Sequence, residues 1–186
     1  DFYGFEDELY QMTYEARTTP ELISSVEKAL QAANLPLKKD TKRGYDHGTW
    51  SPLKVILPDA DIPLVQLSLF NTLNPQEHIN LGKALAPLRS EGFIIIGSGG
   101  ATHNLGALRL FGGGNQSTEN WASNFENWLD DTLLNHSGAE RETALVNFEK
   151  HPSAKKAHPR TEHFVPLLVA AGAGLDGAAS KIYSEW

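Results

Sequence analysis

Three of the chain's seven histidines stand where strand-like or helix-like text breaks into a loop, each flanked by residues able to hold an imidazole. His47 lies in Tyr45-Asp46-His47-Gly48-Thr49-Trp50, where Gly48 permits tight backbone and Asp46 can orient or charge-stabilise the ring. His103 follows Gly99-Gly100-Ala101-Thr102, a few small residues beyond the apolar run 93–96. In α/β sheets ligands gather outside the carboxyl ends of strands, so that position is one where a ligand would be met. His163 closes His158-Pro159-Arg160-Thr161-Glu162-His163, near the start of the last apolar helix. An imidazole titrates near neutrality and, when neutral, binds divalent metals, so such a set could move protons, hold a cation, or do both. The chain has no cysteine, which excludes a thiolate metal site, a disulfide framework and a cysteine nucleophile together.

Taken singly, a loop histidine is more often a surface residue or a local hydrogen-bonding device. His78, His136 and His151 read that way, each in polar text with nothing convergent around it, and His158 is intermediate. The Gly99-Gly100 turn belongs to no GxGxxG or GxxxxGK pattern, so it does not indicate a nucleotide cradle. Ser98, in Gly97-Ser98-Gly99, lacks the G-x-S-x-G elbow of a hydrolase, and Gly112-Gly113-Gly114 reads as a flexible loop. Sixteen Lys and Arg stand against 23 Asp and Glu, a net charge of −7, which argues against a nucleic-acid partner. The longest apolar runs fall well short of the ~20 residues of a membrane helix. Composition and spacing thus imply a soluble, cytoplasmic domain with a histidine-built site.

The elements that must position these residues alternate between helix and strand. Residues 19–33 predict a helix capped by Thr18 or Thr19, with Pro20 in its first turn and Leu22, Val26, Ala29 and Leu30 on one face. Residues 50–57 are helix-compatible, and residues 62–69 read as a strand covered on both faces. Asn74-Pro75 opens a helix to about Ser90, stopped by Gly92. The run 93–96, Phe-Ile-Ile-Ile, is the clearest buried strand, and it enters Gly97-Ser98-Gly99-Gly100, where backbone must pass close to something. Helices are predicted at 104–110, 121–135, 143–148 and 162–173, with basic, Pro-containing loop at 151–160. This pattern predicts one α/β domain over residues 1–186, a central mixed β-sheet flanked by helices.

The wording of four blocks is more specific than their pattern. Asp46-His47-Gly48-Thr49-Trp50-Ser51-Pro52-Leu53, Asp59-Ala60-Asp61-Ile62-Pro63-Leu64-Val65-Gln66-Leu67-Ser68, Gly97-Ser98-Gly99-Gly100-Ala101-Thr102-His103-Asn104-Leu105 and His158-Pro159-Arg160-Thr161-Glu162-His163-Phe164-Val165-Pro166-Leu167 occur in that order. Together with the opening Asp1-Phe2-Tyr3-Gly4-Phe5 they closely resemble the class III extradiol ring-cleaving dioxygenases, in the branch that contains 4,5-DOPA dioxygenase. The resemblance covers essentially the whole chain. It implies an α/β fold with a central mixed sheet, a small catechol and O2 as substrates, and a non-haem Fe(II), with zinc able to take its place. It implies His163 as a metal ligand, and His103 as the acid/base histidine beside the metal or a ligand itself. His47 would be a second acid/base histidine lining the substrate pocket, with His158 and Thr102 at the pocket's edge. Glu162 and Asp46 would support these histidines from behind.

The chemistry suits those assignments. An imidazole near neutrality can take a proton from a catechol hydroxyl and later return one, while the metal polarises the substrate. The departures matter too. The resemblance implies two further metal histidines, in a His-Gly-Ser-Pro and a Ser-Ala-His-Trp stretch, and a C-terminal Gly-Ser-Leu-Ser strand; none of these texts occurs here. The expectation is that an upstream segment is supplied by a cleaved peptide, by another chain, or by sequence preceding Asp1, and a homo-oligomer stays open. Two rival readings remain: a non-catalytic relative acting as a binding module, and a zinc-dependent hydrolase built on the same histidines.

Overall fold

The computed structural model describes residues 6–108 and 116–183. The opening block Asp1-Phe2-Tyr3-Gly4-Phe5 and the Gly112-Gly113-Gly114 run lie outside the described residues. The chain divides into two compact units between Ser68 and Leu69.

In the first unit, helix α1 (Pro20–Ala32) starts where the cap text requires. The Thr19 hydroxyl accepts the Leu22 N–H at 3.3 Å and Pro20 occupies the first turn, where its missing N–H costs nothing. Leu22, Val26 and Leu30 are its buried stripe. Helix α2 (His47–Ile56) begins three residues before the predicted start, because Asp46 is its cap: Oδ1 accepts the Thr49 N–H at 3.1 Å. Residues 62–69 are held by side chains and single backbone bonds. Leu64 donates its N–H to the Arg17 carbonyl at 2.8 Å, and the Leu64 carbonyl accepts from the Thr18 hydroxyl at 2.7 Å and from the Tyr45 hydroxyl at 3.1 Å.

In the second unit, α3 (Pro75–Leu85) is capped by Asn74, whose Oδ1 accepts the Glu77 N–H at 3.1 Å. It continues as a 3-10 turn (Ala86–Glu91) that stops at Gly92, whose φ of 90° is left-handed. The short α4 (Leu105–Leu108), long α5 (Gln116–Leu134), α6 (Gly138–Val146), short α7 (Ala154–Ala157) and α8 (Val165–Ala173) follow. Ile79, Phe125, Leu129, Leu145, Phe148, Phe164, Val165 and Leu168 form the core between them. Helix α8 is apolar on nearly every side, as a helix buried among others must be.

Helices α3 and α8 pack along one another, and glycines make that approach possible. A β-carbon on Gly82 would overlap the Val169 carbonyl oxygen, and one on Gly172 would overlap the Ile79 carbonyl oxygen. Alanine gains up to about 1 kcal/mol of helix propensity over glycine. The overlap reverses that sign: Gly172→Ala is expected to lose about 1–3 kcal/mol, as overpacked cores do. The denaturant midpoint checks it, and a raised midpoint would show that the crossing is looser than described.

The predicted central mixed β-sheet is not present: among the described residues there is no strand. An apolar β-branched run becomes a strand only when its N–H and C=O groups meet a laddered neighbour. Residues 62–69 and 93–96 have no such ladder. The run 93–96 is not covered on both faces either, since Ile94 is 82% exposed and Ile96 59% exposed. Among the described residues no helix is long and apolar enough to cross a membrane.

Candidate active site

Two strips of the second unit meet to form the site. One is the loop 97–104; the other runs from α7 to the start of α8. The glycines of the loop pass against backbone, as their text requires. A β-carbon on Gly97 would overlap the Pro166 carbonyl oxygen, and one on Gly99 the His163 carbonyl oxygen. The gap is closed by hydrogen bonds. Gly100 N–H donates to the His163 carbonyl at 2.9 Å, and His103 N–H donates to the Ala157 carbonyl at 2.8 Å. The Asn104 amide donates to the Lys156 carbonyl at 2.7 Å, while its Oδ1 accepts the Ala107 N–H at 3.0 Å and so caps α4.

This stitching brings His103 face to face with His163. The ring centroids are 3.5 Å apart and the planes 14° from parallel, and both residues are half-buried, reachable from one side. A ring nitrogen binds a metal through its in-plane lone pair at about 2.1 Å. Either ring could offer a nitrogen to a divalent metal or to a proton, and the stack holds the two rings close to parallel.

His158 lies beneath, 3% exposed, in an aromatic box with Phe164 at 5.0 Å and Phe125 at 5.6 Å between centroids. Its Nε2 bonds the Ala101 carbonyl at 2.8 Å, and its buried Nδ1 has no hydrogen-bond partner. A carbonyl offers no proton, so the hydrogen sits on Nε2. Burial holds this imidazole below the ordinary histidine range, partly offset by the bond to Ala101. Glu162 sets Oε1 against Arg160 Nε at 3.2 Å and buries Oε2 without a hydrogen-bond partner. Thr102 is half-buried between the glycines and His103.

The structure therefore gathers His103, His163, His158, Glu162 and Thr102 in one place. His47 and Asp46 belong to the first unit. There His47 is the first residue of α2 rather than a loop residue, and both Asp46 oxygens are engaged, Oδ1 by Thr49 N–H and Oδ2 by the Gln66 amide at 3.0 Å. His78, read as a surface residue or a local hydrogen-bonding device, is the second. It is fully buried, with Nδ1 2.7 Å from the Asn74 carbonyl and Nε2 accepting the Phe70 N–H at 3.2 Å, a local staple at the head of α3. His136 does lie outside the site, against Asp131 and Glu140, whose carboxylates raise its pKa.

As a metal site the cluster fits in kind. Neutral imidazole is a suitable donor for a divalent first-row metal, and Glu162 Oε2 is buried without a hydrogen-bond partner. The described residues contain no group of three or more His, Cys, Asp or Glu arranged to hold a metal.

With this geometry in place, comparison with known proteins becomes informative. Residues 1–185 match the family model described as the catalytic LigB subunit of aromatic ring-opening dioxygenase. The chain is 42% identical to a 4,5-DOPA dioxygenase extradiol of Beta vulgaris, over all of this chain and 68% of that protein. It is 40% identical to that of Portulaca grandiflora, over 100% of this chain and 68% of the relative. It is 35% identical to that of Escherichia coli, over 93% of this chain and 62% of the relative. A solved structure of an uncharacterized protein from Escherichia coli K12 superposes with a TM-score of 0.72 at 34% identity, covering 89% of this chain and 66% of that one. The chain thus spans about two thirds of the length of these relatives. The match from end to end places the chain in the class III extradiol ring-cleaving dioxygenases, an enzyme family described by its catalytic LigB subunit.

Proposed function

We propose that this protein opens the ring of a small, DOPA-like catechol beside its two hydroxyls, with both atoms of O2 entering the ring-opened product. The observation that carries the reading is the stacked, half-buried His103–His163 pair. Its support from outside the chain is that the relatives above are named as extradiol dioxygenases of 4,5-DOPA.

In this reading His163 is one ligand of a ferrous ion and His103 is the acid/base group. When bound, the ion supplies Lewis-acid polarisation of the catechol oxygens and open positions for small ligands. The protein's own part is positional. His103 is fixed at its backbone by Ala157 and at its face by His163, and its ring is half-exposed. It takes the catechol hydroxyl proton and returns one as the ring opens. His163, held through its carbonyl by Gly100, keeps the parallel arrangement. Thr102 stands beside His103 to meet the substrate, and Glu162 lends negative charge behind His163. His47, with Asp46 at the head of its helix, is a further substrate-pocket histidine on the strength of the resemblance.

Protein loaded anaerobically with Fe(II) is expected to consume O2 with a catechol and to form a yellow ring-opened product. His163→Ala is expected to lower iron content, measured by metal analysis after desalting. Zinc at stoichiometry with no O2 uptake on any catechol would favour a hydrolase instead. Iron content equal to the parent's in His163→Ala would remove that residue from the ligand set.

A further inference from the structure

The loop that carries His103 has a buried fastening. Three of its bonds to the opposite strip are made by backbone groups or by half-exposed Asn104. The fourth comes from a side chain beneath the site: His158 Nε2 to the Ala101 carbonyl, two residues before His103 and 57 residues away in sequence from its donor. We propose that His158 is a positioning residue for His103, and that its role is to set the loop so that the His103 ring lies against His163. This rests on the function proposed above, in which His103 handles the proton.

Three features of the side chain fit that role and no role at the substrate. At 3% exposure it is sealed from the open edge of the pair. Its flat ring fills the box between Phe125 and Phe164, which fixes the ring plane and hence the direction of Nε2–H. Its Nδ1 is bare, so the ring presents its one proton to Ala101 and to nothing else. Ala101 itself is exposed. If the donor is lost, its carbonyl can turn to water, so the loop shifts without the core being forced open. Loss of position therefore outweighs loss of stability. The resemblance placed His158 at the edge of the substrate pocket; its burial places it one layer further in.

The test compares His158→Phe, which keeps a ring in the box and removes the donor, with His158→Gln, whose side-chain N–H reaches the same place. In the Fe(II)-loaded protein, His158→Phe is expected to lower kcat roughly 10- to 100-fold, the scale of a misplaced reacting group, with KM for the catechol little changed. Iron content should match the parent's, and His158→Gln should recover most of kcat. A second readout needs no turnover: amide hydrogen exchange over residues 99–105 should quicken in His158→Phe, return toward the parent's rate in His158→Gln, and stay unchanged in α5. Should the phenylalanine variant fail to fold, His158→Met provides the donor-free partner in the same comparison. Parent-like kcat and exchange in the donor-free variant, or no recovery with glutamine, would overturn the proposal. A parent that consumes no O2 would sink the functional reading, while the exchange comparison still decides the role of His158.

Discussion

His103→Ala is expected to lower kcat for catechol cleavage by about 10²–10⁴-fold, the usual worth of a positioned general acid–base group. Metal content should stay at the parent level, because in the proposed reading His163 and not His103 is the ligand. The fold should survive as well. The backbone N–H that His103 gives to Ala157 is retained in any residue, and the ring is half-exposed, so its removal leaves no sealed cavity. The dissection needs two measurements on one preparation, metal analysis and O2 uptake. Loss of activity with metal retained assigns the proton to His103. Loss of both would make His103 the ligand, and retention of both would empty it of any role.

The largest expected stability effect lies at Arg141, in α6. This guanidinium is 3% exposed and donates to backbone carbonyls from three sides. Nε reaches the His136 carbonyl at 2.9 Å and Nη2 the Leu133 carbonyl at 2.9 Å. Nη1 reaches Gly177 at 2.9 Å and Leu175 at 3.1 Å. These acceptors lie at and just beyond the C-terminal ends of α5 and α8, where helix carbonyls have no partner of their own and the helix dipole is negative. Arg141→Met would fill much of the volume and strip every donor. A carbonyl left unpaired away from solvent costs about 1–3 kcal/mol, and water reaching the half-exposed ones returns part of that. A net loss of about 3–5 kcal/mol is expected, read as a shift in denaturant midpoint; at this chain length each kcal/mol moves the melting temperature by roughly 2–4 °C. Arg141→Lys should recover the minor part, because an ammonium is a single point and cannot address carbonyls in several directions. A loss below about 1 kcal/mol in Arg141→Met would mean that solvent already serves these carbonyls.

The parts of the fold written locally were legible, and those written in pairings were not. Thr19-Pro20, Asn74-Pro75 and Gly92 mark helix ends through the chemistry of their own side chains and backbone, and the helices obey them. Asp46 carried the same signal, three residues ahead of Thr49, but read as a partner for His47 it left the start of α2 too late. The run 93–96 has every strand propensity and no ladder, because composition does not say what lies alongside. His78 sat in polar text and is fully buried, since its two partners are the Asn74 carbonyl and the Phe70 N–H, backbone groups that no side-chain pattern announces. At the site, resemblance singled out His103 and His163, and Gly97 and Gly99 foretold a close approach. The burial of His158 and the tether of Asn104 depend on contacts across more than fifty residues, out of reach of any local window.

The stitching of the two strips has a bearing on how this enzyme comes into being. His103 is synthesised before the strip that carries His163, and the bonds joining the two strips can form only once both are present. Catalytic competence is thus an all-or-nothing readout of tertiary closure, and a molecule caught midway through folding would be wholly inert rather than sluggish.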